Sequence, residues 1–159
     1  MKEDHDGAEP APSSVSALNL LFLSHLVEDA SWRERIEKTL KLFGSRLEQS
    51  GRAVPMMSAA LSTYVAGVQQ VVIATETQGE GLDDSVPSLE HAVARRYLPF
   101  ALTLTVTSEN REALAALLPL VASMHPVSGR AAVYVCRDFA CRQPVTTVEA
   151  LEQELETPA

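Results

Sequence analysis

The segment Val71-Val72-Ile73-Ala74 does most to limit what this chain can become. Four apolar residues, three of them β-branched, stand between polar stretches, the pattern of a strand buried on both faces. Two further runs follow: Leu102-Thr103-Leu104-Thr105-Val106 and Ala131-Ala132-Val133-Tyr134-Val135-Cys136. Helix signals separate them. Residues 85–97 carry Pro87 in a first turn, and Ser108 can cap a helix that Pro119 ends. Strands alternating with helices require crossover connections, so the expected unit is a small three-stranded parallel sheet with helices against it. Thr146-Thr147-Val148-Glu149 reads as a capping box opening a last helix, with Leu151 and Leu155 turned inward.

The N-terminal part carries a different period. Pro10 and Pro12 keep residues 1–13 irregular. Over 14–28, Leu18, Leu21, Phe22, His25 and Leu26 fall on one helical stripe, and His25 reads as a hydrogen-bonded core histidine. After a turn at Asp29-Ala30, Ser31 and Glu34 form a capping box. Trp32, Ile36, Leu40, Phe43 and Leu47 continue as the next stripe. So short a turn predicts an antiparallel helical hairpin. Gly51 ends it, and Pro55 opens a third helix with Met56, Met57, Ala60, Leu61, Tyr64 and Val65 as the expected buried side. The two methionines read as core fillers. The expected fold is α/β, with a hairpin at 1–50 and an α/β unit at 51–159.

Composition bounds the function classes. Hydrophobic residues are 46% of the 159, enough for a core, but aromatics are 5%, so that core is mostly Ala, Leu and Val. Thirteen basic against 21 acidic residues give a formal charge of -8, which disfavours a nucleic-acid partner. Residues 1–9 lack a signal-peptide apolar region, and no apolar run is long enough to span a bilayer. The expectation is a cytoplasmic chain without membrane contact. Gly79-Glu80-Gly81 lacks the third glycine of a dinucleotide fingerprint, and Glu76, Glu80, Asp83 and Asp84 would repel a pyrophosphate. It reads as an acidic, solvated loop. No cofactor is expected.

Two groups of residues could carry chemistry. Asp6 and Glu9, with the hydroxyls of Ser13 and Ser14, could bind sugar hydroxyls or act as acid and base; alternatively they cap a helix start and favour its positive end. A glycosidase-type mechanism needs two carboxyl groups flanking one bond, and no second partner is evident. Cys136 and Cys141 are spaced unlike a two-residue redox motif. They read first as thiols with a packing role, with a disulfide or redox pair, or half a metal site, as alternatives. His5, His25, His91 and His125 show no ligand spacing relative to them. Arg95-Arg96 reads as a charge complement to a helix end.

Two motifs carry a resemblance: Asp6-Gly7-Ala8-Glu9-Pro10, and Tyr134-Val135-Cys136-Arg137-Asp138-Phe139-Ala140-Cys141 followed by Pro144-Val145-Thr146. With the strand at 71–74 and Arg96-Tyr97-Leu98-Pro99, they resemble the C-terminal part of the thioredoxin-domain-containing family that includes spermatogenesis-associated protein 20. Ser13 stands where that family usually has Asn, so an amide donor is lost. The resemblance implies an N-terminal thioredoxin-like domain, then an α/α toroid similar to sugar epimerases and six-hairpin glycosidases. It makes 1–50 the last piece of the toroid and this chain a fragment. It further implies a non-catalytic structural role, with the remainder of the parent protein or another subunit as partner. Two alternatives stay open: a sugar-processing enzyme active only at full length, with Asp6 and Glu9 in its pocket, and a redox or metal module at Cys136 and Cys141.

Overall fold

The computed structural model describes residues 5–27, 29–76 and 85–156. The predicted loop at 77–84, with Gly79-Glu80-Gly81, lies outside the described residues. The chain forms two units, Met1–Val68 and Gln69–Ala159.

The first unit is helical. α1 spans Pro12–Ser24, α2 Ala30–Leu42, α3 Gly44–Ser50 and α4 Pro55–Ala66. Pro12 and Pro55 both occupy the first turn, where a missing amide costs nothing. α1 packs against both α2 and α4, so the hairpin is extended by a third helix and the division falls at Val68/Gln69 rather than near Gly51. The core holds Ala17, Leu21, Ile36, Leu40, Val54, Met57 and Ala60. Ser14, Ala17 and Ala60 are small and fully covered, which lets α1 and α4 approach closely. His25 is buried, and its Nδ1 donates to the Leu21 carbonyl at 2.9 Å. α2 starts differently from the predicted Ser31/Glu34 box. Asp29 is the cap, its Oδ1 accepting from the Ser31 amide at 2.8 Å and its Oδ2 from Trp32 Nε1 at 3.0 Å. Glu34 instead pairs with Lys38 one turn on, at 2.6 Å.

The second unit is a four-stranded sheet. Its strands are β1 Gln69–Ala74, β2 Ala101–Val106, β3 Ala132–Arg137 and β4 Ala140–Cys141, in the order β2-β1-β3-β4. β1 and β2 run parallel through the crossover helix α5, Val86–Ala94. β3 runs antiparallel to β1, with Val72 opposite Tyr134. The sheet is therefore mixed and four-stranded, not three-stranded and parallel. The reason lies at 107–131. α6, Arg111–Ala115, has only five residues, and a 3₁₀ turn follows at Pro119–Ser123. That is no full crossover helix, and the chain returns along the other side of β1. Ser108 does not cap α6; its hydroxyl donates to the Glu76 carbonyl. Thr107 and Asn110 bracket the turn, Asn110 Oδ1 accepting from the Thr107 amide at 2.8 Å.

Both sheet faces are covered. Val71, Ile73, Val133 and Val135 pack against Leu89 and Val93 of α5 and Leu151 of α7, Val148–Glu156. Val72, Ala74, Val106 and Cys136 pack against Leu118, Val121 and Met124. The last helix begins as expected, but Thr147 rather than Thr146 serves it, accepting from the Ala150 amide at 3.3 Å.

Candidate functional site

Asp6 is 8% exposed, and both its oxygens are engaged by helix starts. Oδ1 accepts from the Ala11 amide at 2.7 Å and Oδ2 from the Met56 amide at 2.8 Å. Its own amide donates to the Ala53 carbonyl at 2.9 Å. The carboxylate thus sits between the positive ends of α1 and α4. Burial pushes its pKa up. Hydrogen bonds from the Ala11 and Met56 amides outweigh this and hold it below 3.8. A buried carboxylate held in its charged form by two helix starts is poorly placed to take a proton from a substrate. Glu9 is exposed, and its carbonyl accepts from the Gly7 amide at 3.1 Å. The structure therefore places Asp6 in the helix-capping arrangement and leaves Glu9 at the surface.

A second feature lies on the helical unit. Sequence reading places Met56, Met57, Ala60, Leu61, Tyr64 and Val65 on the buried side of α4. Met57 and Ala60 are fully buried and Leu61 packs partly covered on the core, but Thr63 joins the covered side, while Tyr64 is 37% and Val65 76% exposed. α4 is apolar nearly all round, so periodicity could not choose its face. Thr63 can be buried because its hydroxyl donates to the Ala59 carbonyl at 2.9 Å. The outward side opens a groove of about 690 Å³, lined by Leu40, Gly44 and Leu47 from the α2–α3 segment and Leu61 and Tyr64 from α4. Glu37, Lys41 and Glu48 rim it. The Tyr64 hydroxyl donates to Glu37 Oε1 across the groove at 3.1 Å. Burial and the Glu37 carboxylate both push the Tyr64 phenol above 10.0, against a smaller pull from Arg33.

The third feature is the β3–β4 hairpin. Arg137 pairs with Ala140 and Cys136 with Cys141, leaving Asp138 and Phe139 as a two-residue loop. Both have positive φ, 47° and 64°, the signs of a type I′ turn, whose twist matches flanking strands. Cys136 and Cys141 are joined by a disulfide, their Cα atoms 3.9 Å apart. This corrects the reading of the pair as thiols packed in core or loop. A hairpin too short for the residue spacing to reveal puts the two cysteines directly opposite each other. In this state neither offers a thiolate to a metal. Among the described residues, no group of three or more His, Cys, Asp or Glu could hold a metal ion. Nor is any helix among them long and apolar enough to cross a membrane.

Comparison with known proteins gives one consistent signal. No family model matches the chain, and no solved structure does. It is 32% identical over 146 residues to spermatogenesis-associated protein 20 of Rattus norvegicus, and 30% identical over the same length to that of Homo sapiens. Each alignment takes in 92% of this chain and 18% of the relative. An uncharacterized protein of Caenorhabditis elegans is 30% identical over 153 residues, covering 96% of the chain and 20% of that protein. The chain thus spans about a fifth of the length of the curated relatives it matches. Homology at 30–32% identity across 92% of its residues supports its membership in the family of spermatogenesis-associated protein 20.

Proposed function

We propose that this chain is a non-catalytic structural portion of a longer protein. In this reading it is the C-terminal part of a thioredoxin-domain and α/α-toroid architecture, and its helical unit completes the toroid. The groove on α2, α3 and α4 carries the reading. Leu40, Leu47, Leu61 and Tyr64 form an apolar trough with a charged rim, and Val65, one turn beyond Leu61 on the same helix, is 76% exposed. Such a trough matches an amphipathic helix laid along it. The short span of the chain relative to its relatives supports the same view, since a longer polypeptide would supply that helix. The engagement of Asp6 with two helix starts favours a structural over a catalytic use of the N-terminal motif.

The test is the mass of the native product in its source cells, read with an antibody against residues 130–156. A product several times larger than 17.2 kDa is expected. A band at 17.2 kDa overturns the reading.

A further inference from the structure

The sequence motif around the two cysteines has no part in that structural role, yet the fold gives the pair distinct environments. Cys136 lies in β3 with 1% of its surface exposed, among Val72, Val106 and Leu118. Cys141 lies in β4, which is exposed along both its residues. β4 has only those two residues and stands at the edge of the sheet. The pairing of Arg137 with Ala140 and the Arg142 amide, which donates to the Val135 carbonyl at 3.0 Å, hold it to β3; farther along, Val145 bridges Val133 and the Arg142 guanidinium meets Glu154 at 3.1 Å.

The bond is poorly placed to be a staple. It links residues five apart within one hairpin, and so short a ring constrains an unfolded chain least. It joins only the two strands of that hairpin, and both faces of the sheet are covered by packing that does not pass through it. Next to it, the backbone is held where L-residues are disfavoured. Asp tolerates positive φ, but Phe139 at 64° does not do so readily, and it has no glycine's freedom. A hairpin closed over such a loop opens more readily once the cross-link is cut.

We propose that Cys136 and Cys141 form a thiol–disulfide exchange centre, in which the sulfur of the exposed residue Cys141 is the point of attack for an incoming dithiol and Cys136 is the leaving thiol held in the core. A thiolate of the dithiol attacks Cys141 Sγ. The Cys136–Cys141 bond breaks, and its electron pair leaves on Cys136 Sγ, which takes up a proton. The second thiol of the reductant loses its proton and attacks the reductant's own sulfur in the mixed disulfide. Cys141 is released and protonated. The protein gains two electrons and two protons, and the dithiol becomes a disulfide. The reverse sequence reoxidises the pair. The ligand class is a dithiol or its disulfide, and dithiothreitol is the probe. This inference does not depend on the structural role proposed above.

The whole chain is first denatured and alkylated without reductant. Both cysteines are expected to be blocked; two free thiols in air-equilibrated protein overturn the proposal. Folded protein is then equilibrated with mixtures of reduced and oxidised dithiothreitol. The pair is expected to titrate as one two-electron couple while the far-ultraviolet dichroism is unchanged. Resistance to reduction until denaturant is added overturns the proposal. Finally, 5,5′-dithiobis(2-nitrobenzoate) is reacted with Cys136→Ala, which leaves Cys141, and with Cys141→Ser, which leaves Cys136. Cys141 is expected to react at least about tenfold faster, because access governs the attacked sulfur. Equal rates overturn the assignment. If Cys136→Ala does not fold, the order of labelling by iodoacetamide in the reduced wild-type chain decides the same question.

Discussion

The carboxylate of Asp6 accepts the amide of Met56 at 2.8 Å, across 50 residues of chain, while its other oxygen holds the amide of Ala11. One side chain therefore caps α1 and α4 together and fixes the distance between their starts. Asp6→Ala leaves one buried and one partly buried amide without a partner and is expected to cost roughly 2–4 kcal/mol in urea unfolding. Asp6→Asn, which keeps an acceptor for one of them, falls between. The pH dependence has a definite sign. The folded-state pKa lies below 3.8, so the ionised carboxylate stabilises the fold fully above that value. The contribution is lost as pH falls through the lowered folded value. The gap in stability between wild type and Asp6→Asn should therefore narrow on acidification. A gap constant from neutral pH to strong acid would show that the charge of Asp6 is unimportant.

Leu151 anchors the last helix. It is fully buried between α5 and the sheet, whereas Leu155, one turn on, is only partly covered. Leu151→Ala should destabilise by about 2–5 kcal/mol, and Leu155→Ala by visibly less. Thermal melts of the two variants check the order.

Phe139 occupies a backbone position suited to glycine, with φ at 64°. Phe139→Gly removes that penalty but loosens the unfolded chain, and a net gain of about 0.5–1 kcal/mol is expected. A loss instead would mean that contacts of the phenyl ring outweigh the cost of the turn.

Val65 and Leu42 are 76% and 80% exposed, so Val65→Asp and Leu42→Asp should each change the stability of this chain by no more than about 0.5 kcal/mol. In a longer polypeptide whose helix fills the groove, Val65→Asp places a carboxylate against an apolar surface. Limited proteolysis of that polypeptide should then proceed faster for Val65→Asp than for wild type, with no such difference in the isolated chain. Equal rates in both would separate Val65 from the docking face.

The candidate sites were legible to different degrees. The Asp6 motif could be read as cap or catalyst, because a carboxylate near a helix start serves either use. What decides between them is Met56, whose amide is distant in sequence. The cysteines could be read as thiols, disulfide or half a metal site. Pairing needs the Asp138-Phe139 loop to reverse the chain, and neither residue is a glycine that would announce such a turn. Ser31 and Glu34 offer a local cap in the sequence, yet the nearer carboxylate of Asp29 takes the amide.

Sequence by itself determined the local elements: Leu21 with His25 and Ile36 with Leu40 on the inner stripes of α1 and α2, the β-branched runs of β1 and β3, Pro55 and Pro87 at helix starts (though Pro12, read as irregular, opens α1 in the same way), and Leu151 as the inward residue of α7. These follow from periodicity and backbone restriction, which act over a few residues. Tertiary structure alone decided the direction of β3 against β1, the outward face of α4, the double cap at Asp6 and the bond between Cys136 and Cys141. Each depends on which of several locally equivalent surfaces meets a partner far along the chain, and close packing settles that choice only when all partners are present.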